Sequence, residues 1–121
     1  MAKILIIDDD PETIKLLESI LRMEGYQTSS VLESRNAFQV VESFAPDLVL
    51  LDIMMPDING IAICKLIKSN PHTSKIKVMM VSALSDDGTR KDSMNAGANQ
   101  FVTKPVLPRV FAQQVKDLLE G

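Results

Sequence analysis

One cysteine in 121 residues, Cys64, leaves no partner for an internal disulfide, so the fold does not depend on an oxidising compartment. No thiolate-stabilising cluster surrounds it in the sequence, and it reads as a small buried apolar side chain. The one histidine, His72, lies in SNPHTSK, a loop by composition, where solvent exposure is expected. With a single His and a single Cys, a zinc site has no ligand set. There is no excess of positive charge. The 13 Lys and Arg face 16 Asp and Glu, for a net charge of -3, which argues against general binding to phosphate backbones. No apolar run approaches the length that spans a membrane. The N-terminal run is short and ends in acids, unlike a signal peptide. These absences set the expectation of a cytoplasmic protein that binds neither nucleic acid nor membrane directly.

What the chain does contain is 45% hydrophobic and 24% charged residues, the profile of one globular domain, expected to occupy 1–121. Short apolar runs recur at Ile4–Ile7, Leu48–Leu51 and Val78–Val81, with a weaker one at Gln27–Val31 and another at Phe101–Val102. Runs this short without polar alternation read as strands covered on both faces. Between them lie four helical stripes: Ile14, Leu17, Ile20, Leu21; Ala37, Val40, Val41, Phe44; Ile63, Leu66, Ile67; and Phe111, Val115, Leu118. Gly25 suits the stop of the first helix and Pro108 the first turn of the last. The segment from Asp86 to Ala96 is nearly all polar, with Met94 its main apolar residue. Its place in the alternation makes it a thinly anchored helix, either simply solvated or facing a partner. Five strand–helix pairs in this length imply an α/β fold, a flavodoxin-like doubly wound (βα)5 sandwich on a five-stranded parallel sheet of order 2-1-3-4-5.

In such sheets ligands bind beyond the C-terminal strand ends, where the strand order reverses, here between strands 1 and 3. Strand 1 runs into Asp8, Asp9 and Asp10, and strand 3 into Asp52. Strand 4 ends in Ser82 and strand 5 runs into Lys104-Pro105, so polar groups gather on one edge. Asp10 stands apart: followed by Pro11 and an amphipathic stripe, it reads as a helix N-cap. The remaining three carboxylates need a cation, and all-oxygen ligation suits Mg²⁺ or Mn²⁺. A cation, the Lys104 ammonium and the Ser82 hydroxyl around one carboxylate make a phosphoryl-transfer environment, with Asp52 as nucleophile.

The ordered motifs KILIIDDDP, LVLLDIMMPDING, VMMVSA and GANQFVTKP resemble those of the receiver domain of two-component response regulators, over the whole chain. The resemblance implies that Asp52 accepts a phosphoryl group from a phosphohistidine on a sensor histidine kinase or a histidine phosphotransfer protein. It implies that Asp9 ligates Mg²⁺ directly, that Asp8 acts largely through water, and that Met54 supplies a backbone carbonyl. Ser82 corresponds to the switch hydroxyl, Lys104 to the lysine that pairs with the phosphoryl group, and Phe101 to the aromatic that turns inward. The bond from Lys104 to Pro105 is expected to be cis. Such a domain promotes its own phosphorylation and dephosphorylation without being an enzyme on other substrates. Its surface of helix 4, strand 5 and helix 5 then changes for a downstream effector or a fused output domain.

Some positions depart from common family patterns. Ser82 replaces the frequent Thr, and Phe101 the frequent Tyr. Asn59-Gly60 replaces Asp-Gly and still reads as turn chemistry, while Asp47 and Asp57 read as turn residues. Asn99 and Gln100 stand where winged-helix regulators usually carry acids, and Gln114 stands near their arginine, so that subclass and its dimer are not expected. Met54 and Leu84, each two residues beyond a site residue, are placed to restrict attacking water. Other classes fit less well. An aspartyl-nucleophile phosphohydrolase of the haloacid dehalogenase type needs a second aspartate where Met54 stands, and a cap for which there is no room. A flavin or nucleotide module needs a Gly/Ser/Thr-rich phosphate loop where DDDPE stands. A docking module independent of phosphorylation would not need the acids, Ser82 and Lys104 together.

Overall fold

A computed structural model describes all 121 residues, Met1–Gly121. Five strands alternate with five helices: β1 (Lys3–Ile7), α1 (Pro11–Met23), β2 (Gln27–Val31), α2 (Ala37–Phe44), β3 (Leu48–Leu51), α3 (Gly60–Ser69), β4 (Lys77–Ser82), α4 (Asp87–Asn95), β5 (Gln100–Thr103) and α5 (Pro108–Glu120). A short 3₁₀ turn, Ser34–Asn36, precedes α2. All strand pairs are parallel, and the order is β2-β1-β3-β4-β5, as expected.

The period of two along a strand divides the core into two halves. Ile4 and Ile6 point toward Ile14, Leu17 and Leu21 of α1 and Phe111 and Val115 of α5. Leu5 and Ile7 point the other way, into Ala37, Val41, Ile63, Cys64 and Ile67 of α2 and α3. Each such side chain, taken fully out of water, contributes roughly 1.5–3 kcal/mol, which is why these runs show no polar alternation. β2 is weaker in sequence because it is an edge strand, with only Val31 buried.

The helix ends follow local chemistry. Asp10 caps α1: its carboxylate accepts from Glu12 N at 3.1 Å and Thr13 Oγ1 at 2.8 Å, and Pro11 begins the helix. Gly25, at φ 90°, closes α1, with its N–H on Arg22 O and the Tyr26 N–H on Leu21 O. The third helical stripe needs correction. Leu66 is 46% exposed, and Cys64 takes its place on the buried face of α3. A helix advances about 100° per residue, so Ile63, Cys64 and Ile67 share the stripe. In α4 only Ser93 is buried, while Met94 is 48% exposed, so the helix lacks even the apolar anchor its sequence offered.

Candidate functional site

The parallel ladder runs one residue past its strands at the switch point. The Asp8 N–H donates to Val31 O at 3.1 Å and the Asp52 N–H to Ile7 O at 3.0 Å. Both aspartates therefore belong mechanically to the sheet, although strand geometry ends before them. Asp8, Asp9 and Asp52 present carboxylate oxygens that all lie within 4.8 Å of one another. Asp8 and Asp52 are buried and Asp9 is exposed. The structure thus separates the three consecutive acids as the sequence suggested: two join Asp52 and the third caps a helix.

Each buried carboxylate is partly satisfied. Asp52 Oδ1 accepts from the Ile53 N–H at 2.8 Å, and Oδ2 faces Lys104 Nζ at 3.4 Å. Asp8 Oδ1 accepts from the Asp10 N–H at 2.9 Å, and Oδ2 from Lys104 Nζ at 2.9 Å. Burial pushes the Asp8 carboxyl above its usual range, with Asp52 adding to the effect; the hydrogen bonds from Asp10 and Lys104 only partly offset it. One ammonium against three carboxylates leaves an excess of negative charge in a site of oxygen donors. That donor set fits a hard divalent cation, with Asp8, Asp9 and Asp52 as its protein carboxylates. The Met54 side chain is 65% exposed, so the residue is not held by its own packing.

Lys104 is held by β5. Its N–H donates to Ser82 O at 3.0 Å, Thr103 stands opposite Ser82 in the ladder, and the bond to Pro105 is cis. Ser82 is buried, with its Oγ accepting from the Leu84 N–H at 3.1 Å, and a hydroxyl that accepts there still has its own O–H to give. Phe101 is half-buried, and the Arg90 guanidinium of α4 lies 4.7 Å from its ring centre. Arg90 also donates to Thr103 Oγ1 at 2.8 Å and to Ser85 O at 3.1 Å. Arg90 is a residue that the sequence did not single out, because nothing local distinguishes it from any other charge on a polar helix.

Asn59 and Gly60 shape the site in roles other than the turn chemistry their sequence suggested. Asn59 is the N-cap of α3, its Oδ1 accepting from the Ala62 N–H at 3.0 Å, and Gly60 is the first helical residue rather than a turn glycine. The left-handed residue in that loop is Asp57, at φ 73°. Gly60 is needed for space: a Cβ there would stand 1.9 Å from Asp52 O. Asn99 is a strand-end brace, with its side chain accepting from Val78 N at 2.9 Å and its own N–H donating to Val78 O at 2.8 Å. Asp47 accepts from the Lys3 N–H at 2.8 Å at the opposite end of the sheet. His72 is exposed, and Cys64 is buried with its thiol pushed up to about 11 by desolvation.

This arrangement of fold and acids recurs in known proteins. The family model of the response regulator receiver domain matches residues 4–116. The response regulator PleD of Caulobacter vibrioides is 34% identical over 117 residues, which is 97% of this chain but only 26% of that protein. The chain thus spans about a quarter of the length of that relative. The signal receiver domain of a signal transduction histidine kinase from Syntrophus aciditrophicus superposes with a TM-score of 0.92 at 37% identity, covering 100% of this chain and 92% of that one. The BeF3-activated receiver domain of DrrB, a Thermotoga maritima response regulator, superposes with a TM-score of 0.90 at 32% identity, covering 100% and 99%. A family match over nearly the whole length, on the same sheet order, leaves one conclusion: the chain belongs to the response regulator receiver domains, the signalling switches of two-component systems.

Proposed function

We propose that Asp52 is the phosphoacceptor of this switch, charged by a phosphohistidine on a sensor histidine kinase or a histidine phosphotransfer protein. The observation that carries the reading is the buried Asp52 carboxylate, fixed by Ile53 N on one oxygen, facing Lys104 on the other, and grouped with Asp8 and Asp9. An Asp52 oxygen attacks phosphorus as the P–N bond of the donor breaks; the imidazole nitrogen leaves with the bonding pair and takes up a proton. Asp8, Asp9, Asp52 and the Met54 carbonyl would hold Mg²⁺, or Mn²⁺ in its place. When bound, the cation neutralises charge on the transferring phosphoryl oxygens.

The new phosphoryl group brings about two negative charges and three acceptor oxygens. Lys104 shifts from Asp8 toward it, and Ser82 gives it the O–H. Phe101 moves into the space Ser82 leaves, which draws its ring from under Arg90. The surface of α4, β5 and α5 changes with it, for a downstream effector or a fused output domain. Residues 1–121 act as a single receiver domain in the cytoplasm, where such kinases present their phosphohistidine.

Intact mass after treatment with acetyl phosphate and Mg²⁺ tests the reading. One phosphoryl adduct on the wild type, absent from Asp52→Asn, is expected. No adduct with Mg²⁺ present overturns it in favour of docking independent of phosphorylation.

A further inference from the structure

We propose that Ser34 is a positioning residue for the cation pocket, clamping the turn that follows Met54 and so fixing where the Met54 carbonyl stands. Ser34 is 3% exposed and begins the 3₁₀ turn after β2. Its Oγ donates to Pro56 O and accepts from the Ile58 N–H at 3.1 Å. The Ile58 N–H also reaches Pro56 O at 3.0 Å, closing a three-residue turn around Asp57 at φ 73°. One hydroxyl therefore holds both ends of a turn whose central residue sits in backbone space that side chains disfavour.

These are the only hydrogen bonds that tie residues 54–58 to another element. Ile53 and Met55 on either side pack against the core, but the exposed Met54 side chain does not, and the turn beyond it rests on these bonds. A hydroxyl gives and accepts at once, which alanine cannot do, so its loss frees the turn and leaves Pro56 O with one partner fewer. Asp8 and Asp52 are fixed by the sheet, but the Met54 carbonyl has no such tether. Ser34 supplies one from the turn after β2, at Pro56 and Ile58. The inference rests on the reading of that carbonyl as a cation ligand.

The test is calorimetric titration of the full chain with Mg²⁺ alone, beside hydrogen exchange at the Ile58 amide. Thr73→Val is the matched control: Thr73, just beyond the C-terminal end of α3, is equally buried, and its hydroxyl donates to Ile67 O in the last turn of that helix at 2.6 Å, away from the acids. Ser34→Ala is expected to raise the Mg²⁺ dissociation constant by about tenfold and to speed exchange at Ile58. Thr73→Val should lose stability with Mg²⁺ affinity unchanged. Ser34→Thr, which keeps the hydroxyl, should restore affinity, and Ser34→Cys, a weaker donor of similar size, should fall between and serves if alanine does not fold. Equal affinity in wild type and in Ser34→Ala or Ser34→Cys, or unaltered exchange at Ile58, overturns the clamp while leaving the metal reading intact. A wild type that does not bind Mg²⁺ overturns the metal reading itself, and the clamp's role with it.

Discussion

Lys104 Nζ stands 2.9 Å from Asp8 Oδ2 but 3.4 Å from Asp52 Oδ2, so the ammonium leans on the acid of β1 and leaves the acid of β3 the looser partner. Burial opposes its charge, but the hydrogen bond to Asp8 and the pull of both carboxylates outweigh that and raise it above its usual 10.5. A raised lysine contributes stability that is complete below its ordinary value and is lost as pH rises through the folded one. The lysine therefore stays charged throughout neutral pH. Lys104→Met should cost about 2 kcal/mol in metal-free protein, less than a fully buried pair because the lysine is partly exposed. Mg²⁺ should bind more tightly, since one competing positive charge is gone, while the yield of acetyl phosphate adduct falls. Denaturant melts, calorimetry and intact mass separate the three effects.

Asp86 caps α4 with a carboxylate that accepts from Thr89 Oγ1 at 2.6 Å and Thr89 N at 3.1 Å. Those bonds hold its acid constant below the usual 3.8. Its contribution is therefore present above that value and lost as pH falls through the lowered one. Asp86→Ala should melt at a lower temperature than wild type at pH 7, and the two Tm curves should converge in strong acid. Curves that stay parallel down to pH 2 would show that the cap does not stabilise through its charge.

Gly60→Ala would press a methyl group onto Asp52 O, a backbone atom that cannot swing aside. The expected loss is about 3 kcal/mol, at the upper end of overpacking. The adduct at Asp52 should fall with it, even at temperatures where circular dichroism shows a folded chain. A variant as stable and as reactive as wild type would mean that α3 can back away from β3 at no cost.

Met54, and Leu84 at 38% exposure, line one groove with Ile53, Met55, Pro56 and Asn59, beginning at the residue that follows Asp52. Two apolar side chains at that mouth disfavour an ordered attacking water. Met54→Asn with Leu84→Asn should shorten the phosphoaspartate half-life several-fold without changing the site of modification. Unaltered decay of the adduct in the double variant would remove this role.

Arg90→Ala removes the contact with the Phe101 ring, worth about 1 kcal/mol, and the bonds to Thr103 and Ser85. Amide exchange across Asp87–Asn95 should quicken while that of β1 and β3 holds. Exchange that quickens everywhere would point to global destabilisation instead.

How much of this could be read from the chain depends on how local each signal is. β1, β3 and β4 were plain because both faces of the sheet are covered, and an unbroken apolar run has few other readings. Sheet order then placed Asp8, Asp9 and Asp52 together, although the first and the last stand 44 positions apart. Ser34 was not visible: a single hydroxyl that meets a turn 22 residues on has no period and no spacing rule. Gly60 was visible as a glycine but read as a turn former, because sequence cannot distinguish a need for positive φ from a need for room. Leu66 reads as core because it stands at helical spacing from Ile63, but Cys64 fills that place because it lies nearer the centre of the buried face.

The docking of α4 also has a thermodynamic character of its own. A helix whose one buried side chain is Ser93 exposes little apolar surface when it detaches. Such a step has a small heat-capacity change and a small dependence on denaturant. Mild urea should therefore leave its balance almost untouched, while a charge placed near Arg90 shifts it at once. The α4 equilibrium is in this sense isolated from the denaturant response of the domain that carries it, and is governed by electrostatics instead.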